Sequence, residues 1–218
     1  WNGVPVEDVR RYYEEVTASD PYHLVWNNHA PRNTVAEITD YNRFTDVSGS
    51  DIYPVPEPQT HSDLPNTTLA VTGDETRKLI KSVGGSKPIW MILQGFGWND
   101  WEKDVTKRRR RPTWEETRFM AYDAIISGAE GIVYWGASYV EEGAELWTHL
   151  HRIAGELKAL TGALVLPDAR DAASLVAAPE GVRLRAKALP GGALVMVENA
   201  TAKPQKVRVR LASCPRAS

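Results

Sequence analysis

Two apolar runs some forty residues apart, each breaking off into glycine, aromatic and amide residues, constrain this chain more than anything else in it. The first is Lys87-Pro-Ile-Trp-Met-Ile-Leu-Gln-Gly-Phe-Gly-Trp98 and the second is Gly131-Ile-Val-Tyr-Trp-Gly136. Continuous apolar runs mark strands covered on both faces, which is how parallel strands are buried. Between them Thr113 and Glu116 match the capping box, in which a hydroxyl and a carboxylate satisfy opposite free amides. Strand, capped helix, strand is the repeat of a parallel α/β fold.

The same grammar extends in both directions. Val6, Val9, Tyr12, Tyr13 and Val16 fall at helical spacing, and Asp20-Pro21 closes that helix. A short strand over 22–26 runs out into Asn27-Asn28-His29, and a second over 45–53 delivers Asp51 and Tyr53 into the proline-rich stretch 54–65, where regular structure is excluded. Thr72 and Glu75 offer another capping box for a helix reaching Val83, with Gly84-Gly85 as its stop. A third strand over 88–93, a helix from Thr113 to Gly128 and a fourth strand over 131–135 follow. Leu146, Leu150, Ile153, Leu157 and Leu160 then define a last helix that Gly162 should end. Beyond Pro167, short β runs at 174–178, 182–188, 193–198 and 205–211 are joined by turns such as Pro190-Gly-Gly192. The chain therefore reads as four parallel β/α units over 1–166 and a small antiparallel β appendage over 167–218.

Four β/α units make half of an eight-stranded barrel, and an open half leaves two strand edges and an apolar inner face that something must cover. The candidates are a second copy of the chain, a missing amino-terminal half or the carboxy-terminal β segment, and a homo-oligomer, most simply a dimer, is the expected cover. With 218 residues, 42% of them hydrophobic, the chain can bury a sizeable core. Its formal charge of −2 provides no field for nucleic acid, and the one dense basic run, Lys107 to Arg111, is loop-sized. Cys214 stands alone and cannot form an intrachain disulfide. No apolar stretch approaches the roughly 18 residues that span a bilayer, and no signal-peptide pattern is visible, so the sequence argues against membrane insertion and leaves localisation open.

Three segments carry a family resemblance: Ser50-Asp-Ile-Tyr-Pro-Val-Pro56, Lys87-Pro-Ile-Trp-Met-Ile-Leu-Gln-Gly-Phe96, and Phe119-Met-Ala-Tyr-Asp-Ala-Ile-Ile-Ser-Gly-Ala-Glu-Gly-Ile-Val-Tyr-Trp-Gly136. They resemble the carboxy-terminal half of a clan A, barrel-type glycoside hydrolase with the start of a trailing β-sandwich domain. The resemblance implies a half TIM barrel whose strands correspond to the fifth through eighth of a full one. It also implies hydrolysis of glycosidic bonds, with carbohydrate as partner. Such enzymes carry an acid/base Glu after the fourth strand, upstream of anything here, and a nucleophilic Glu at the end of the seventh, where this chain has Gln94.

Glycoside hydrolysis needs two carboxyl groups flanking the scissile bond. Asp51, at a strand's carboxyl end beside Tyr53, is the first catalytic candidate, and Glu141, after the last strand, is the second; Glu142 and Asp100 are weaker. Tyr53, Trp98, Trp101, Trp135 and Tyr139 lie at or beyond strand ends, where flat apolar faces stack on sugar rings. Asn27, Asn28, His29 and Gln94 are placed there to read hydroxyls. His29, Asp51, His61 and Asp63 lack the tight spacing of a metal site, no Gly-x-Ser-x-Gly is present and no glycine fingerprint follows a strand. Neither metal nor cofactor is expected. The alternative reading is a non-catalytic half-barrel that binds sugar or associates with itself.

Overall fold

The computed structural model describes residues 3–59, 62–101, 110–177 and 179–212, with Trp101 described by its backbone alone. His61, Cys214 and the basic residues 107–109 lie outside that set. The chain divides into two compact units, Trp1–Trp147 and Thr148–Ser218, with the boundary inside its longest helix.

The first unit is built on a parallel sheet of β1 (Trp26–His29), β2 (Val47–Asp51), β3 (Ile89–Gln94) and β4 (Gly131–Trp135), in the spatial order of the sequence. Pairing runs Trp26 with Val47, Ser48 with Ile89 and Trp90 with Gly131. Side chains alternate across a strand, so this register sorts the sheet into two faces. Asn27, His29, Ser48, Ser50, Met91 and Leu93 share one. There α3 (Val71–Val83) packs on β2 and β3, and α5 (Trp114–Ser127) packs on β3. Ser48, Met91 and Leu93 are fully buried on that side. Trp26, Asn28, Gly49, Asp51, Trp90, Ile92, Gln94, Val133 and Trp135 share the other. Every residue of β4 and three of the four in β1 are only half-buried, whereas β2 is buried throughout.

Glycine makes the second face possible. A Cβ at Gly49 would lie 2.2 Å from Trp26 Nε1 and 2.4 Å from the Trp90 carbonyl oxygen, and one at Gly131 would lie 2.4 Å from Trp90 Cδ1. The two indoles therefore lie down over glycine rows, with ring centroids 5.8 Å apart.

The elements follow local chemistry, with several departures from the sequence reading. α1 (Val6–Ser19) and α5 form as expected, and α5 opens on the Thr113–Glu116 capping box and closes at left-handed Gly128. The first departure is β1, which begins at Trp26 rather than 22. Asp20 caps the preceding turn through the Tyr22 amide (3.2 Å) and His23 (2.7 Å), and Asp46 accepts from the Val25 amide (2.8 Å). Asn27, Asn28 and His29 thus lie within the strand, not beyond it. The second is α2 (Val35–Tyr41), in a stretch read only as a connection; its own capping box, Thr34 with Glu37, is fully formed. The third is α3, which starts at Val71, so that Thr72 and Glu75 are buried inside it and form no cap. A single turn, α4 (Trp98–Trp101), follows β3.

α6 (Glu145–Leu164) runs through Gly162 instead of stopping there. In the second unit β5 (Ala173–Val176) pairs antiparallel with β8 (Arg208–Leu211), and β6 (Val182–Leu189) pairs with β7 (Gly192–Asn199). Pro190-Gly191 turns the β6–β7 hairpin, with Gly191 at φ 76°. Asp168 ties into it through Arg185 and Lys187, each at 2.9 Å. The described architecture is mixed α/β, a parallel four-stranded sheet with separate antiparallel pairs.

Two glycine substitutions should part in sign. Gly49→Ala forces a methyl group into an indole and a carbonyl and is expected to cost at least about 2 kcal/mol. Gly155→Ala, in α6 with nothing within 4 Å of the added Cβ, should gain about 0.5–1 kcal/mol. Urea denaturation midpoints of the two variants check this, and a tolerated Gly49→Ala contradicts the packing of Trp26 and Trp90.

Candidate functional site

The carboxyl ends of the four strands bring Asn28, Asp51, Gln94 and Trp135 onto the face opposite the helices, and each arrives with a different degree of freedom. Asp51 is 9% exposed. Its Oδ1 accepts from Asn28 Nδ2 at 3.1 Å, and the Tyr53 hydroxyl hydrogen-bonds to the same carboxylate. Burial, reinforced by that neighbouring charge, pushes the Tyr53 phenol well above its ordinary range, so it remains a donor. Asn28 Oδ1 is buried with no hydrogen-bond partner. The result is a carboxylate held by an amide and a phenol, next to an acceptor with spare capacity.

Gln94 is spent. It is fully buried, its Oε1 accepts from the Val55 amide (2.8 Å), and its Nε2 donates to the carbonyls of Val55 (2.9 Å) and Phe96 (3.1 Å). It clamps the segment after β2 to the end of β3 and has no free group for a hydroxyl. Trp98 shares that duty: it is 6% exposed, and its Nε1 donates to the Val55 carbonyl at 2.9 Å. Phe96, to which sequence reasoning gave no role, is the centre of the rim. Its ring lies 5.2 Å from Tyr53, 5.1 Å from Trp98 and 5.1 Å from Trp135, edge-on to each. Left-handed Gly136 permits that approach, since a Cβ there would fall 2.6 Å from the Phe96 ring.

Trp135 and Tyr139 keep exposed surface. Trp135 is half-buried, with Tyr53 stacked on it at 5.7 Å, and Tyr139, 5.7 Å further out, is 47% exposed. Asn27 is half-buried on the helix side of β1.

His29 also lies on the helix side. It is buried, its Nε2 bonds Asn42 Oδ1 at 2.9 Å, and its ring stacks on Tyr41. It is a core histidine and does not share the face of Asp51. Burial, with Lys78 adding to it and Asn42 opposing it, holds its pKa below the ordinary value.

Glu141 is exposed and paired with Arg111 (2.6 Å), which also grips Asp100 (2.6 Å). The guanidinium holds the Glu141 carboxyl below the usual carboxylate range, which suits an ion-pair partner and not a proton donor. Asp100 in turn accepts from the Gly97 amide at 2.7 Å. Asp63 is exposed and paired with Arg32 (2.7 Å). Among the described residues no three His, Cys, Asp or Glu converge as metal ligands would, and no described helix is long and apolar enough to cross a membrane. Neither a protein-family model nor a curated protein matches the chain.

Two measurements check these placements. Gln94→Leu strands the Val55 amide in the interior together with the carbonyls of Val55 and Phe96, and should cost at least about 2 kcal/mol in urea. For His29 the folded pKa lies below the unfolded one, so the unfolded chain binds the proton first. Its contribution is then complete above about pH 6.5 and is lost as pH falls toward the folded value. Glu75, whose carboxyl is pushed up by burial, acts with the opposite sign. Between pH 7 and pH 5 the native chain should therefore lose stability faster than His29→Gln, and equal slopes would place His29 in water.

Proposed function

We propose that this chain is a glycoside hydrolase-like, carbohydrate-active half-barrel whose sugar site is the carboxyl-end rim of the parallel sheet, with Asp51 as its reacting carboxylate. The observation that carries the reading is the Asn28–Asp51–Tyr53 constellation, set beside an aromatic wall that stays open at Trp135 and Tyr139. Polar groups converging beside flat apolar surface are what a pyranose needs, hydroxyls to one side and an axial C–H face to the other. Parallel β/α units wound in sequential order carry their chemistry at this end. The fold analogy supports the reading without carrying it.

Hydrolysis takes a second carboxyl group, about 5 to 9.5 Å away across the bond. Glu141, committed to Arg111, does not suit that role. The complementary acid then comes from a partner that also covers the open sheet, a second copy of the chain being the simplest, and activity should rise faster than linearly with protein concentration. The Glu141–Arg111 pair equally favours a second reading, a sugar-binding half-barrel without hydrolysis.

A panel of aryl glycosides, assayed across protein concentration, separates the two. In the hydrolytic reading Asp51→Asn lowers kcat/KM by about 10²- to 10⁴-fold. In the binding reading nothing is released, and Asp51→Asn weakens oligosaccharide affinity by about 10- to 100-fold, seen in titrations of tryptophan fluorescence. A chain that neither cleaves nor binds sugar, or does either unchanged with Asp51→Asn, has some other function.

A further inference from the structure

Arg111 joins the turn after β3 to the turn after β4, and its five N–H donors are divided between them. One edge of the guanidinium is fixed. Nε donates to both oxygens of Asp100 at 2.9 Å, and Nη2 donates to Oδ1 at 2.6 Å. The Asp100 side chain is only 10% exposed, and its Oδ2 also accepts from the Gly97 amide at 2.7 Å. The stem of Arg111 lies over Gly97, where a Cβ would fall 2.8 Å from Arg111 Cγ. Gly97 separates Phe96, the hub of the aromatic wall, from Trp98. The other edge meets a different carboxylate: Nη1 donates to Glu141 Oε1 at 3.0 Å and Nη2 to Oε2 at 2.6 Å, the two-pronged geometry in which arginine holds carboxylates. The Glu141 side chain is 67% exposed and lies between the 3-10 turn Ala137–Tyr139 and α6.

An ion pair as wet as the outer one gains little, because water screens it and two side chains are held still to make it. The inner edge is thus built in, and the outer edge is closed by a carboxylate that leaves at small cost. Tyr139 stands two residues from Glu141, is 47% exposed, and has its ring 5.7 Å from that of Trp135. Two residues of chain span at most about 7 Å, so the carboxylate that Arg111 holds and the open aromatic surface share one segment of the rim. A pyranose with a carboxylate at C5 offers something to each, an apolar C–H face and, at its margin, a planar anion. A neutral sugar has nothing for the outer edge, and a bare inorganic anion leaves the aromatic surface wet.

We propose that the outer edge of Arg111 is a carboxylate subsite of the rim, which Glu141 fills from within the chain, and that the glycans taken there carry uronic acid residues. This rests on the sugar reading of the rim and names its substrate class. The exchange replaces one carboxylate by another on the same N–H groups, so the buried Asp100 keeps its partner and no charge is left bare in the interior. Glu141, once released, is solvated.

Two pairs of methyl glycosides test it on the full chain by titration of tryptophan fluorescence: the β-glucuronide with the β-glucoside, and the α-galacturonide with the α-galactoside. In at least one pair the uronide should bind about 10- to 100-fold more tightly at low salt, and about 0.5 M NaCl should shrink that ratio. Glu141→Gln removes the internal competitor and should raise the ratio by about a further 2- to 5-fold, a gain that a purely structural ion pair does not predict. Arg111→Lys keeps a cation beside Asp100 without the fork and should bring the ratio close to one. Near-UV circular dichroism checks that this variant is folded, and Glu141→Gln, at an exposed position, carries the test by itself if it is not. Equal affinities within both pairs, with the neutral glycosides binding, overturn the uronate subsite and leave the sugar reading standing. A ratio that fails to rise in Glu141→Gln, or that survives in folded Arg111→Lys, also overturns the subsite. If none of the four glycosides binds, the sugar reading falls and the subsite with it.

Discussion

Parallel strands depend on cover from both faces and from their neighbours on either side, and in this sheet cover is uneven. The helix face is dry to the point that two serines, Ser48 and Ser50, are buried in it. The opposite face is paved by Trp26 and Trp90, lying over Gly49 and Gly131, and remains half-open at both outer strands. Indole over glycine is an economical way to make an apolar floor from few residues, because one ring spans two strands. It also fixes that face: any side chain at Gly49 or Gly131 lifts a ring, and the ends of the strands, where the polar residues stand, shift with it.

The amide at Gln94 shows how structural demand can displace chemistry. Three backbone groups meet it, one a donor (Val55 N–H) and two acceptors (the carbonyls of Val55 and Phe96). A carboxylate could accept from the first but would face the two carbonyls with no proton to offer. An amide satisfies all three and so locks the segment after β2 to the end of β3. Tyr53 and Val55 are positioned by that lock, and through Tyr53 so is Asp51. The residue standing where the family resemblance implies a nucleophile thus acts here by holding Asp51's neighbourhood in place.

Much of the fold was legible because it rests on short-range signals. β4 falls where an unbroken apolar run ends at Gly131 and Gly136, and α5 sits between its capping box and Gly128. The misreadings arise where a local signal is ambiguous or a distant one decides. Thr72-x-x-Glu75 and Thr34-x-x-Glu37 have the same pattern, but only the second begins a helix, because Ala70 and Val71 carry the start of α3 two residues further back and bury the first. β1 was displaced because its register is chosen by Val47 across the sheet, with Asp46 holding Val25. The site was half legible. Spacing put Asn28, Asp51, Gln94 and Trp135 at strand ends, but nothing in the sequence shows that Gln94 and Trp98 are used up by Val55, or that Phe96 is the hub. His29 was misplaced by parity alone: one residue along a strand exchanges one face of the sheet for the other.

Asn28 links the open edge to the rim. Its side chain lies on the face of Asp51 and donates to that carboxylate, while its backbone points outward from β1. A strand paired along that edge would remove the rotational freedom of the Asn28 peptide and so fix the direction of the amide that steers Asp51. Among the described residues no strand pairs with β1 on that side, and the Asn28 Oδ1 has no partner. The orientation of Asp51 is therefore most sharply defined when β1 is an interior strand. Any chemistry at the rim that depends on the angle of that carboxylate will be sensitive to what pairs with β1.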